Sequence, residues 1–86
     1  MADSVKVVLD YPVQLADRKL TEVVMRRMTV GDLLDYPVKG AEDFEGEVRL
    51  LAHLIGLTPD DVRALDVNDY SKLQDVMVRF RTGKKR

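Results

Sequence analysis

The chain has no cysteine, no tryptophan and only one histidine among its 86 residues. Without thiols, disulfide frameworks, thiolate zinc sites and cysteine nucleophiles are excluded, and one imidazole rules out paired-histidine metal sites. No run approaches the roughly 20 apolar residues a membrane-crossing helix needs. The opening MADSVKVVLDYP also lacks a basic segment followed by a long apolar stretch, so a cytoplasmic protein is expected. Glycine-rich phosphate loops, nucleophile elbows and the regular oxygen spacing of a calcium loop are missing too. These absences lead to an expectation of no catalytic residue, no cofactor and no metal: a protein that is not an enzyme.

What is present is enough for one modest core: 45% hydrophobic and 34% charged residues, a composition of small globular domains and not of disordered chains. The net charge of −1 is unevenly spread. Arg79, Arg81, Lys84, Lys85 and Arg86 are clustered at the C-terminus, leaving −6 for everything before them. The expected organisation is a single domain over residues 1–82 and a basic, flexible tail over residues 83–86, a solvated end with no folding signals.

Hydrophobic periodicity divides the chain into six elements. VKVVLDYPV is β-branched and reads as a strand that Pro12 interrupts, and LTEVVMRRM, after the polar LADRK, reads as its antiparallel partner. Imperfect alternation in the second strand predicts a bulge near Val23 and Val24. Thr29 with Asp32 three residues on forms a capping arrangement for a short helix over Val30 to Tyr36, stopped by Pro37. VKGAEDFEGE, with Gly40 and Gly46, reads as a linker into EVRLLAHLIG, whose wide apolar arc predicts a central buried helix. Gly56 suits a left-handed cap, and Thr58 with Pro59 opens a fifth element over Pro59 to Leu65. Asp66 or Asn68 caps a last helix reaching Arg81, with Tyr70, Leu73, Val76, Met77 and Phe80 on its core stripe and Val78 outside it. The predicted fold is α+β, an N-terminal β-hairpin followed by about four helices. The alternative is a mostly helical domain with a loosely attached N-terminal arm.

Few residues suggest chemistry. His53 lies on the side of its helix shared with Arg49, opposite the apolar arc, and reads as solvated. Asp60 and Asp61 fall where acids favour a helix N-terminus. Ala52, Gly56, Val62 and Leu65 have the spacing of a helix-turn-helix crossing, which leaves a small DNA-binding regulator as an alternative function. Against it, the second helix would bring Asp60 and Asp61 up to phosphates, and the body of the chain is acidic. The crossing therefore reads as packing, and a nucleic-acid partner is disfavoured. Tyr36, Val38 and Val78, apolar residues at interrupted or off-stripe positions, are the expected partner contacts.

The order of features carries a resemblance. LDYPVQLADRKLTEVVMRRMTVGDLLDY followed by LLAHLIGLTPDDVRALDVNDYSKLQDVMVRF resembles the small tail assembly chaperones of contractile-tailed phages and prophages, over roughly Val5 to Phe80. Met25, Arg26, Thr29, Gly31, Asp32 and Leu33 match the family's junction motif. Leu54, Gly56, Leu57, Leu65, Asp66, Asp69, Tyr70 and Leu73 match the later motif. Ile55 departs from a threonine common before the glycine, and Arg18 from a glycine in the hairpin turn. The resemblance implies a non-structural protein of the bacterial host cytoplasm that binds the tape measure protein, alongside other tail assembly proteins, and keeps it soluble until the tail tube polymerises. It also implies a second, longer form made by frameshifting near Gly83, Lys84 and Lys85, and leaves open whether the chain forms homo-oligomers.

Overall fold

Alternating valines pair the first two segments as antiparallel strands, β1 (Ser4–Gln14) and β2 (Lys19–Arg26). The structure is a computed structural model that describes residues 4–82. The basic tail expected over residues 83–86 lies outside the described residues, while Arg79 and Arg81 belong to the last helix. Val5 faces Met25 and Val7 faces Val23, so one side of the ribbon is apolar and turned to the core. The hairpin closes through the Leu15 N–H donating to the Arg18 carbonyl at 2.8 Å. Among the described residues no non-glycine takes a positive φ, so a turn without glycine is unstrained here.

The bulge is displaced from its expected place. Val23 and Val24 sit in regular pairing, and the register breaks between Val8 and Val13, where Leu9, Asp10, Tyr11 and Pro12 lie opposite Thr21 alone. The extra residues belong to β1, and Pro12 falls where the ladder asks for no N–H. On β2 the alternation fails at Thr21 and Glu22, both exposed, one step before the valine pair.

Four helices follow: α1 (Val30–Asp35), α2 (Phe44–Ile55), α3 (Pro59–Arg63) and α4 (Val67–Thr82). Thr29 and Asp32 form the predicted capping box; Thr58 is the predicted N-cap of α3 with Pro59 in its first turn, and Asp61 completes a second box that the sequence reading did not give. Gly56 ends α2 at φ 74°, and the Leu57 N–H closes back on the Ala52 carbonyl at 3.0 Å. A Cβ at Gly56 would meet no atom within 4 Å, so backbone conformation, not the close helix approach suggested by the sequence, requires this glycine.

Gly46 differs from expectation in the opposite sense. It is not in a linker but buried in the first turn of α2, capped by the Asp43 side chain. A Cβ there would run into that Asp43 carboxylate and lie 2.9 Å from the Pro37 carbonyl. Asp43 starts the helix at Phe44, three residues before the predicted EVRLLAHLIG, because its side chain supplies the acceptor that the linker reading overlooked.

The hairpin lies over the helices, β1 against α4 and β2 against α2, with α3 packed on α2. Met25, Leu50, Leu51 and Leu73 are the most deeply buried apolar side chains, each stabilising the fold by about 1.5–3 kcal/mol through removal from water. The hairpin is thus an integral layer of an α+β domain, not a loose arm.

Candidate functional site

Arg26 ends β2 on the outer side of the ribbon and reaches forward to α1. Its Nη1 and Nη2 donate to the two Asp32 oxygens at 2.8 and 2.9 Å, a two-pronged pair. Asp32 is buried and also accepts the Thr29 N–H at 2.8 Å. His53, from α2, completes the cluster: Nε2 lies 3.1 Å from Asp32 Oδ1 and 3.0 Å from Arg26 Nη2, and the ring stacks on Tyr36 at 4.5 Å. The single nitrogen either accepts from Arg26 or donates to Asp32, according to its tautomer. His53 is therefore not the solvated helix residue expected from its periodicity. The carboxylate that the sequence did not place beside it comes from 21 residues earlier.

The Arg26 bond, opposed by burial and aided by Thr29, holds Asp32 far below the ordinary carboxylate range. A base so weakened has little use in proton transfer near neutrality. The cluster's chemistry is fastening: it joins the end of the hairpin to α1 and α2.

A second buried acid fastens the other end. Asp69 is fully buried in the first turn of α4, where its oxygens accept the Asp10 N–H at 2.8 Å and the Tyr11 N–H at 3.0 Å. These are backbone donors of the β1 bulge, released from the ladder by the irregular register. Lys72, one turn on, donates to the Val8 carbonyl at 2.7 Å and lies 3.2 Å from Asp10 and 3.5 Å from Asp69. Burial pushes the Asp69 pKa up, but the two N–H groups and Lys72 outweigh it, and the net direction is down. Next to it, Tyr70 donates its hydroxyl to Glu47 at 3.1 Å, and burial followed by the Glu47 charge raises the phenol above its usual value.

Other motif residues serve these junctions. The Asp66 side chain accepts the Asn68 N–H at 2.9 Å, so Asp66, not Asn68, begins α4. Leu33 and Leu65 are half-buried against the core. Gly31 is exposed, and a Cβ there would make only an ordinary contact with Thr29, so no close packing demands it. The three expected partner contacts do not share one setting: Tyr36 is half-buried on His53, Val38 precedes the Asp43 cap, and Val78 is 54% exposed on α4.

Sequence reading missed an apolar cleft of about 270 Å³ between α2, α3 and α4. Its floor is Val62, Leu65 and Tyr70, and its rims are Phe44 and Val67, 57% and 76% exposed. The Phe44 ring meets Tyr70 edge to face at 5.5 Å. The only available signal was one of the chain's two phenylalanines in an otherwise polar stretch.

Residues 6–81, which include both junctions and the cleft, match the family model described as phage tail assembly chaperone proteins, E, or 41 or 14. The chain belongs to this tail assembly chaperone family. No curated protein and no solved structure matches it significantly. In this tail assembly chaperone, Arg26, Thr29 and Asp32 build one junction, and Asp66, Asp69 and Tyr70 the other. Among the described residues no helix is long and apolar enough to cross a membrane, and no group of three acidic, histidine or cysteine side chains is arranged to hold a metal.

Proposed function

We propose that the protein binds the tape measure protein during tail morphogenesis, keeps it soluble in the host cytoplasm, and is absent from the finished virion. The observation that carries this reading is the family match across residues 6–81, nearly the whole fold. The physics agrees with it. An unassembled tape measure exposes long apolar helical seams, and a small acidic domain that covers them adds repulsive charge against aggregation. The role needs no catalysis, and the two buried carboxylates are engaged in fastening, which supports a non-enzymatic function. Val38 and Val78, both exposed, and Tyr36 are proposed secondary contacts.

Co-expression tests the reading: the tape measure protein should be soluble with this chain and aggregated without it. Equal solubility in both cases would falsify the function. A longer frameshifted form is part of the proposal, and the coding nucleotides for Gly83 to Lys85 check it through a slippery heptamer with an overlapping downstream frame. DNA reading is not favoured, because α3 is five residues long and its first turn carries Asp60 and Asp61.

A further inference from the structure

We infer that α1 with its flanks, residues 28–36, is a strap that opens from the body as a unit while the hairpin and the other helices stay folded. The Arg26, Asp32 and His53 cluster is the latch that holds it shut. The opening does not depend on what the protein binds. Three observations carry it.

The first is what α1 buries. Its one buried side chain is the Asp32 carboxylate, whereas even the five-residue α3 buries Val62, and α2 and α4 each bury several apolar residues. Val30 and Leu34 are 73% and 76% exposed. A helix of six residues cannot hold itself in water, so α1 depends on its tertiary anchors.

The second is packing. α1 has no extensive backbone contact with any other element. A cleft of about 210 Å³ lies between Met28, Val30 and Leu33 on one side and Phe80 and Arg81 on the other, so the strap does not close on α4. Met28, Leu33 and Tyr36 are only partly buried. What joins the strap to the body is chiefly polar: the Arg26 guanidinium on Asp32, His53 Nε2 3.1 Å from the same carboxylate, and the Tyr36 ring stacked on His53. A segment with few buried apolar contacts opens at a lower free energy than the whole fold.

The third is that both flanks are pinned. Upstream, the Arg27 guanidinium lies 5.1 Å over the Phe80 ring, and its Nη2 donates to the Phe80 carbonyl at 3.4 Å. Downstream, the Lys39 N–H donates to the Asp43 side chain at 2.9 Å. Movement between these pins frees the strap without disturbing α2 or α4. Opening turns Leu33 and Tyr36 out beside Val30 and Leu34.

The test is amide hydrogen exchange of the full chain, followed by NMR in urea concentrations below the unfolding transition. The Leu33 and Tyr36 N–H groups donate to the Thr29 and Asp32 carbonyls. They should exchange roughly tenfold or more faster than those of Leu51 and Leu73, at a rate that urea leaves unchanged, because a local opening exposes little surface. Leu51 and Leu73 should speed up with urea. Val76→Ala, at a buried position on α4, should speed Leu51 and Leu73 and leave Leu33 and Tyr36 as they are. Arg26→Met should speed Leu33 and Tyr36 about tenfold, with Asp32→Asn as a second latch variant should the first misfold. Core amides follow in these two variants, since the latch is lost in global unfolding as well; Val76→Ala is what separates the two openings. An equal urea dependence at Leu33, Tyr36, Leu51 and Leu73 means that the strap leaves only with the whole fold, and overturns the proposal. Exchange of α1 at the rate of an unprotected peptide overturns it too, because no closed state is then left to latch. Unchanged Leu33 and Tyr36 rates in the latch variants refute the latch.

Discussion

Asp32 and Asp69 are both buried acids in the first turn of a helix, and both tie that helix to the hairpin, but they are satisfied differently. Asp32 faces mainly side chains: a guanidinium and an imidazole that are each partly open to solvent, with the Thr29 N–H as a backbone donor beside them. Asp69 faces backbone: two N–H groups of a strand that has left its ladder, with Lys72 as its charged partner among the described residues. A side-chain partner can swing to water when its carboxylate is lost, whereas a backbone N–H cannot leave. The β1 bulge therefore depends on Asp69 more than the α1 junction depends on Asp32, although Asp32 holds the better ion pair.

The largest effect should come from removing both charges together with acid. Each carboxylate has a folded pKa below its unfolded value, so its stabilisation is fully present above the unfolded value of about 4 and is lost as pH falls below it toward the folded values. Urea midpoints measured downward from about pH 6 should fall steeply below about pH 4. A flat profile would mean that neither acid carries weight in the fold.

Replacing one acid at a time separates the two junctions. Asp69→Asn keeps the shape but turns an NH₂ toward one of the two N–H donors, and should cost about 3 kcal/mol in urea unfolding. Asp32→Asn leaves a capping oxygen and an arginine able to reach solvent, and should cost about 1–2 kcal/mol. A reversed order would break the comparison and make the ion pair dominant. The smallest effect belongs to Lys72→Met: with Lys72 partly exposed, it should cost less than about 1 kcal/mol. A loss as large as that of Asp69→Asn would mean the ammonium, not the backbone, holds the bulge.

The contrast also explains how much could be read beforehand. The capping box at Thr29, the Thr58 cap, the left-handed Gly56 and the core stripe of α4 were legible because donor and acceptor, or period and face, lie within a few residues. The family motif marked Asp69 as a position but said nothing of its role, since an acid in a first helical turn looks like an ordinary dipole partner. Its actual partners are 58 and 59 residues away. His53 was misread for the same reason: helical periodicity reports which side of α2 it occupies, not that Tyr36 and Asp32 fold over that side. Gly46 was assigned to a linker because glycine is a poor helix former, and tertiary crowding against Pro37 overrode that preference.

The sequence alone determined the order and kind of elements, the caps that begin and end them, the acidic body and the absence of thiol chemistry, because each follows from composition or from neighbours in the chain. Only the tertiary structure decided where the bulge falls, which acids are buried, and that Phe44 and Val67 frame an apolar furrow. Those outcomes depend on groups far apart in sequence being brought within a few ångströms, and no local pattern records the free energy of that meeting.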